Sequence, residues 1–395
     1  MTTELVHLSP AIRSVPPYPF EHLDQRKAEA VASGRSLIDF GVGDPREVTA
    51  PFIRDALVEA LEPVSSYPRA AGIPELRDAV CGWITRRFGV SLDPDRHVLP
   101  VLGSKEIVFS LAQLVLDPAQ GRDLVVVTAP GYPIPERGAR WSGADVVRLP
   151  LRRTEEFLPD LEGVPASTWD RTALLWLNYP NNPTGAVAPL ALYARAAELA
   201  RRHGFLLASD EAYSELWFEG GPPASSLQTG DVSHVLAVNT LSKRSSMTGY
   251  RSGFVAGDPE VIAALKRVRP SVGVTPQEFV QVASVAAWND EVHVEEARAR
   301  YADRRAIFTK MFERAGVEVA GSEATFYLWV KVPDGRPSLD WALDLLERGG
   351  LIVAPGSFFG PEGEGYVRMA MVPDREDCLR AASIMEGLLS TGVSA

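Results

Sequence analysis

Residues 172–213 read TALLWLNYPNNPTGAVAPLALYARAAELARRHGFLLASDEAY, and this stretch decides the fold. Thr172–Leu177 and Phe205–Ser209 are continuous apolar runs rather than alternating ones, as expected for strands covered on both faces. Between them Pro189–His203 reads as a helix, which makes a strand–helix–strand unit and implies parallel strands. The same alternation extends in both directions. Asp123–Val127, Asp145–Leu149, His234–Asn239 and Gly253–Gly257 read as further strands, and Ile73–Phe88, Lys105–Leu116 and Pro259–Val268 as helices. The expected fold class is α/β with a mainly parallel sheet. From about Asp290 the pattern changes to a long charged helix (Glu291–Ala315), a run at Ala324–Val332, a helix at Leu339–Gly349, a short strand at Leu351–Ala354, a run at Gly365–Met371 and a closing helix. That order predicts a smaller α+β domain over 291–395, a large domain over 46–290, and an N-terminal segment, 1–45, joining the small one.

With 395 residues the chain is long enough for two or three domains. Apolar residues make up 46% and charged residues 23%, the balance of a globular protein. A net charge of −11 with no basic run argues against a nucleic-acid partner. No apolar stretch is long enough to span a bilayer, and the first residues, MTTELVHLSPAIRS, lack the pattern of a signal peptide. Two cysteines, Cys81 and Cys378, form no disulfide framework, and the six histidines offer no metal-ligand spacing. The expectation is a cytoplasmic enzyme without a metal. Only six of the 40 basic residues are lysine, so a lysine in a distinctive setting carries information.

In open α/β sheets ligands bind beyond the carboxyl ends of the strands, so the residues that follow each strand matter most. After Thr172–Leu177 comes Asn178-Tyr-Pro-Asn-Asn182-Pro-Thr-Gly185, a turn by composition. After Phe205–Ser209 comes Asp210-Glu-Ala-Tyr213, where an acid would ordinarily cap a helix. After His234–Asn239 comes Thr240-Leu-Ser242-Lys243, with Arg251 eight residues on. Two cations in a buried loop repel unless an anion lies between them. Burial and neighbouring positive charge also help a lysine lose its proton and act as a nucleophile. Leu99-Pro-Val-Leu-Gly103-Ser104-Lys105 is a strand-like run entering a helix through Gly-Ser, which offers backbone N–H groups and a hydroxyl to a phosphate.

Taken in order, SLIDFGVGDP, SSYPRAAGIPELRDAV, GSKE, APGYP, NYPNNPTG, SDEAY, TLSKRSSMTGYRSGF and YVRMAM resemble the motifs of the fold-type I pyridoxal-phosphate enzymes, specifically the class I/II aminotransferases, from about Ile38 to Val372. The resemblance implies an α/β/α large domain around a mainly parallel seven-stranded sheet and pyridoxal 5'-phosphate as cofactor. It implies that Lys243 forms the Schiff base and moves the substrate proton. Asp210 would pair with the pyridine nitrogen, Tyr213 and Asn182 would bond the ring oxygen, and Tyr132 would stack on the ring. Gly103, Ser104, Lys105, Thr240, Ser242 and Arg251 would hold the phosphate, with Tyr67 reaching it from the neighbouring subunit of a homodimer. Arg368 would take the substrate carboxylate beside the Gly43 backbone, with Asn182 nearby. The substrates would be small amino acids and 2-oxo acids.

VLPVLGSKEIV, VGVTPQEFVQ, TFYLWVKV and IVAPGSFFGPEGEGYVRMAMV look most like the N-succinyl-LL-2,6-diaminopimelate aminotransferases of lysine biosynthesis, with glutamate as donor. An LL-diaminopimelate or aspartate-type aminotransferase is the alternative, followed by a carbon–sulfur lyase on the same scaffold. Arg69, Arg137 and Lys105 are candidates for the substrate's further carboxylates. Thr325 and Tyr327, flanking Phe326, stand where relatives vary.

Overall fold

The computed structural model describes residues 12–13, 21–32, 34–64 and 66–392; parts of the 1–45 segment and Ser65, two positions before Tyr67, lie outside the described residues. A seven-stranded sheet organises the chain. Its spatial order is Val98–Val101, Gly253–Gly257, Val235–Thr240, Leu206–Asp210, Thr172–Asn178, Leu124–Ala129, Asp145–Pro150. Every pairing is parallel except those of Gly253–Gly257, which runs against both neighbours. Thr172–Asn178, Leu206–Asp210 and Val235–Thr240 are buried at every position, which explains their unbroken apolar sequence. Val98–Val101 lies at the sheet edge, where Pro100 removes no ladder hydrogen bond that the sheet needs.

A second, four-stranded antiparallel sheet runs Ala354–Pro355, Tyr366–Ala370, Tyr327–Lys331, Val319–Gly321. The run expected as a single strand at Leu351–Ala354 is split. Leu351–Ile352 pairs with Ile38–Asp39, while Ala354–Pro355 joins Tyr366–Ala370. The helix expected at Lys105–Leu116 is also divided, into Ser104–Ser110 and Ala112–Val115. Pro259–Val272 extends beyond its expected end and carries Pro270 in its last turn.

The helix Glu278–Trp288 is absent from the sequence reading for a physical reason. Its polar residues Gln281 and Ser284 are buried and hydrogen-bonded among the apolar ones, while Val282 is exposed, so the usual amphipathic period is blurred. Gln281 receives the Ile73 N–H and donates to the Pro276 carbonyl, and Trp288 packs against Trp83 and Phe254. No helix among the described residues is long and apolar enough to cross a membrane.

Candidate active site

The cavity at the carboxyl ends of the strands, about 380 Å³, gathers residues from across the sequence. It is lined by Asn182, Asp210, Tyr213, Thr240, Ser242 and Lys243, with Gly43, Ser104, Lys105, Tyr132, Arg251 and Arg368 completing it. Gly103 stands against Arg251 just behind this lining. Tyr67 is fully exposed, and neither it nor Arg69 nor Arg137 lines the cavity.

The reversed strand explains how Lys243 and Arg251 come to share one rim. Because Gly253–Gly257 runs backwards, the residues that precede it meet the residues that follow its neighbours; Val101, Gly253 and Thr240 stand in one row. Thr240 caps the single turn Leu241–Arg244, its Oγ1 accepting the Ser242 N–H at 3.2 Å, and this turn presents Lys243. Arg244 points away, donating to the carbonyls of Ala287 (2.6 Å) and Asp290 (2.9 Å) and to Glu291 (2.7 Å), and so anchors the turn from behind. Arg251 has a left-handed backbone at φ 56°, a conformation that costs a non-glycine residue about 1–2 kcal/mol. Its guanidinium is held by the carbonyls of Thr248 (2.9 Å) and Leu102 (3.3 Å).

A side chain on Gly103 would place its Cβ 2.3 Å from Arg251 Nη2, and φ there is +70°. Gly103→Ala is therefore expected to push the guanidinium aside and weaken cofactor binding by about tenfold, the loss of one charge-assisted contact. Titration of the cofactor-free enzyme with pyridoxal phosphate reads this directly. Unchanged affinity would remove Arg251 from the phosphate seat.

Burial brings the Lys243 amine down from its ordinary 10.5 to about 8; the charge of Asp44 opposes this and those of Arg368, Lys105 and Arg251 reinforce it. Burial, then Arg251, also lowers Lys105. Lys243 Nζ donates to the Gly43 carbonyl and lies 5.5 Å from the Phe326 ring. On the other side of the cavity, burial raises the Asp210 carboxyl to about 6, against a favourable N–H from Ala212. Asp210 makes no ion pair among the described residues.

Asn178, at the end of the neighbouring strand, braces both segments: its Nδ2 donates to the Asp210 carbonyl (2.9 Å) and its Oδ1 accepts the Asn182 N–H (2.9 Å). Asn178 and Phe359 both line the cavity and are not singled out by the sequence reading, although each sits inside a quoted motif.

Arg368 sits in the middle of the four-stranded sheet, opposite Trp329 and Ala354, and is 4% exposed. Its Nη1 donates to Asn182 Oδ1 (2.9 Å) and its Nη2 to the carbonyl of Gly41 (2.6 Å). Phe359 and Tyr327 flank it, with its Cζ 4.7 Å and 4.2 Å from the ring centres. Nε is buried without a partner, and no carboxylate pairs with this guanidinium among the described residues. Thr325 is buried away from the cavity, with φ 67° and its N–H on the Leu216 carbonyl at 2.7 Å. Of the two residues flanking Phe326, only Tyr327 lines the cavity.

The residues fit pyridoxal phosphate. The Lys105–Arg251 pair with the hydroxyls of Ser104, Thr240 and Ser242 asks for an anion, and the buried Asp210 carboxyl asks for a cation. Arg368 asks for a second anion, at a distinct place. Fold and site together define a pyridoxal-phosphate-dependent enzyme.

The chain belongs to the class I and II aminotransferases, whose family profile matches residues 35–384. It is 37% identical over 374 residues to the LL-diaminopimelate aminotransferase of Dehalococcoides mccartyi, covering 93% of this chain and 96% of that one. Against the LL-diaminopimelate aminotransferase of Aquifex aeolicus the identity is 36% over 388 residues, 97% of this chain and all of the relative. Among solved structures, substrate-bound BacF of Bacillus subtilis superposes with a TM-score of 0.90 at 31% identity, over 97% and 98% of the two chains. A probable N-succinyldiaminopimelate aminotransferase of Thermus thermophilus gives 0.86 at 33% identity, over 93% and 99%.

Proposed function

We propose that the chain transfers the amino group of a diaminopimelate-type amino acid to a 2-oxo acid, and that the free LL-diaminopimelate is its substrate. The observation that carries amino-acid chemistry is Arg368, a buried guanidinium with no carboxylate partner among the described residues, beside a lysine of lowered basicity. The names of the Dehalococcoides and Aquifex relatives support the free diamino acid. They favour it over the N-succinyl form that the sequence motifs suggested, which keeps the support of the name of the Thermus structure. Neither Arg69 nor Arg137 reaches the cavity within this chain, and Lys105 belongs with the phosphate seat.

Pyridoxal phosphate, when bound, supplies an aldehyde that condenses with amines and a ring that takes up electrons from the adjacent carbon. Arg368 takes the substrate carboxylate as a fork and fixes the carbon that bears the amine. Lys243 Nζ, whose basicity burial lowers, would take the proton from that carbon and return it to the other side of the transfer. Asp210 keeps a proton on the ring nitrogen. Tyr213 and Asn182 address the ring oxygen, and Ser104, Lys105, Thr240, Ser242 and Arg251 hold the phosphate against Gly103. Tyr132 covers the ring.

Arg368→Lys is expected to raise KM for amino and 2-oxo acid alike by on the order of tenfold to a hundredfold, because an ammonium cannot reproduce the planar fork. Cofactor affinity should stay as it was. An unchanged KM would give Arg368 another task.

The substrate is tested by following the visible absorbance of the yellow holoenzyme after adding LL-diaminopimelate, N-succinyl-LL-2,6-diaminopimelate, aspartate or glutamate without an acceptor. Bleaching by LL-diaminopimelate and glutamate alone is the expected result. Bleaching by the succinylated compound in place of the free one restores the first reading.

A cytoplasmic homodimer completes the reading. Tyr67 is wholly exposed within one copy, and a second copy would carry it to the other copy's phosphate. Light scattering should give twice the chain mass, and a monomer with full activity would exclude a shared site.

A further inference from the structure

Tyr327 stands where three distant parts of the chain meet, and no step of the transfer gives it a task. It is 3% exposed and lines the cavity from the first position of Tyr327–Lys331. Its hydroxyl lies 2.8 Å from that of Tyr213, in the loop after Leu206–Asp210. Its ring centre lies 4.2 Å from Arg368 Cζ on the neighbouring strand. From the N-terminal side comes Gly43, where a Cβ would fall 1.9 Å from the Tyr327 oxygen, so this position has no room for a side chain while the tyrosine is present. The Tyr327 N–H donates to Thr325 Oγ1 at 2.9 Å, and Thr325 has a left-handed backbone at φ 67°. This contact fixes the backbone where Tyr327 opens its strand, and a strained residue there marks a position that is over-determined by its surroundings.

We infer that Tyr327 is a positioning residue that couples the two ends of the site: its ring holds the Arg368 fork and its hydroxyl orients the Tyr213 phenol. The inference rests on the reading above, in which Arg368 meets the substrate carboxylate and Tyr213 the cofactor's ring oxygen. Two phenols in contact carry two protons but use only one between them. With Tyr327 as donor, the Tyr213 proton is free to point into the cavity and bond the ring oxygen. The aromatic face meanwhile holds the guanidinium plane without occupying its N–H edge, which stays available to a carboxylate.

The test uses the holoenzyme and four variants: Tyr327→Phe, Tyr327→Leu, Tyr213→Phe and the double Tyr213→Phe/Tyr327→Phe. Two quantities are read: the pH midpoint of the bound cofactor's visible absorbance change, and the affinity for maleate, a dicarboxylate without an amine. A lost donor disfavours the deprotonated ring oxygen, so Tyr327→Phe should raise the midpoint by about half a unit to one unit while keeping maleate affinity within about twofold. Tyr327→Leu should show the same shift and also weaken maleate by about tenfold. The double variant should shift no further than Tyr213→Phe alone, because both act through one proton.

A wild-type midpoint in Tyr327→Phe, with Tyr213→Phe shifted, overturns the inference and leaves the Tyr213 reading standing. Unchanged maleate affinity in Tyr327→Leu overturns the Arg368 half. A Tyr213→Phe midpoint like wild type removes the Tyr213 assignment, and the inference with it.

Discussion

Lys243→Ala is expected to abolish turnover by on the order of ten-thousandfold or more and to leave the enzyme without its yellow colour, since one side chain provides both the covalent hold on the cofactor and the proton carrier. The fold should survive. Lys243 makes one hydrogen bond, to the Gly43 carbonyl, whereas the turn that presents it is held by Thr240 in front and Arg244 behind. The structure also fixes a pH signature. An amine with its pKa at about 8 rather than 10.5 is protonated, and so not nucleophilic, below that value. Covalent capture of pyridoxal phosphate by the cofactor-free enzyme should speed up about tenfold per pH unit below 8 and level off above it. A rate still climbing at pH 10 would mean that burial does not depress Lys243, and substantial turnover by the alanine variant would sink its assignment.

The second large effect belongs to Asp210. Asp210→Asn keeps the shape and the Ala212 contact but removes the charge, and kcat should fall by on the order of a hundredfold to a thousandfold, as for loss of one preorganised electrostatic partner. KM for the amino acid should change little, since Arg368 is untouched. In the wild type burial raises the Asp210 carboxyl from 3.8 to about 6. Its ionised form is the one that pairs with a protonated ring nitrogen. Cofactor affinity should therefore decline as pH falls below about 6, and this part of the decline should be missing from the asparagine variant. Parallel titrations of the two proteins between pH 5 and 8 measure the difference. Identical curves would free Asp210 from contact with the ring.

Much of this is legible in the sequence. The unbroken apolar runs at Thr172–Leu177 and Phe205–Ser209 mark strands of a covered sheet, and the polar residues at their ends point to the cavity that Asp210, Asn182 and Lys243 share. The two cations eight residues apart, Lys243 and Arg251, do line the same cavity. What stays hidden depends on contacts between distant residues. An arginine in a short strand reads as a surface residue until Tyr327 and Phe359 are seen enclosing it. Glu278–Trp288 buries Gln281 and Ser284 and exposes Val282, so its period is blurred in the sequence. Tyr67 is equally opaque within one copy of the chain, since its side chain is wholly exposed there.

The backward course of Gly253–Gly257 has a practical consequence for remodelling the protein. One rim of the sheet carries both the exits of its parallel strands and the entry to this one, so the twelve-residue link from Leu241 to Ser252 is gripped at both ends by the same row of backbone. Lengthening it would separate Lys243 from Arg251. The opposite rim bears no such constraint: Gly143 and Gly230, just ahead of Asp145–Pro150 and Val235–Thr240, have open space around them. New chain termini, tags or inserted modules belong there, where the scaffold can be cut and rejoined without disturbing its chemistry.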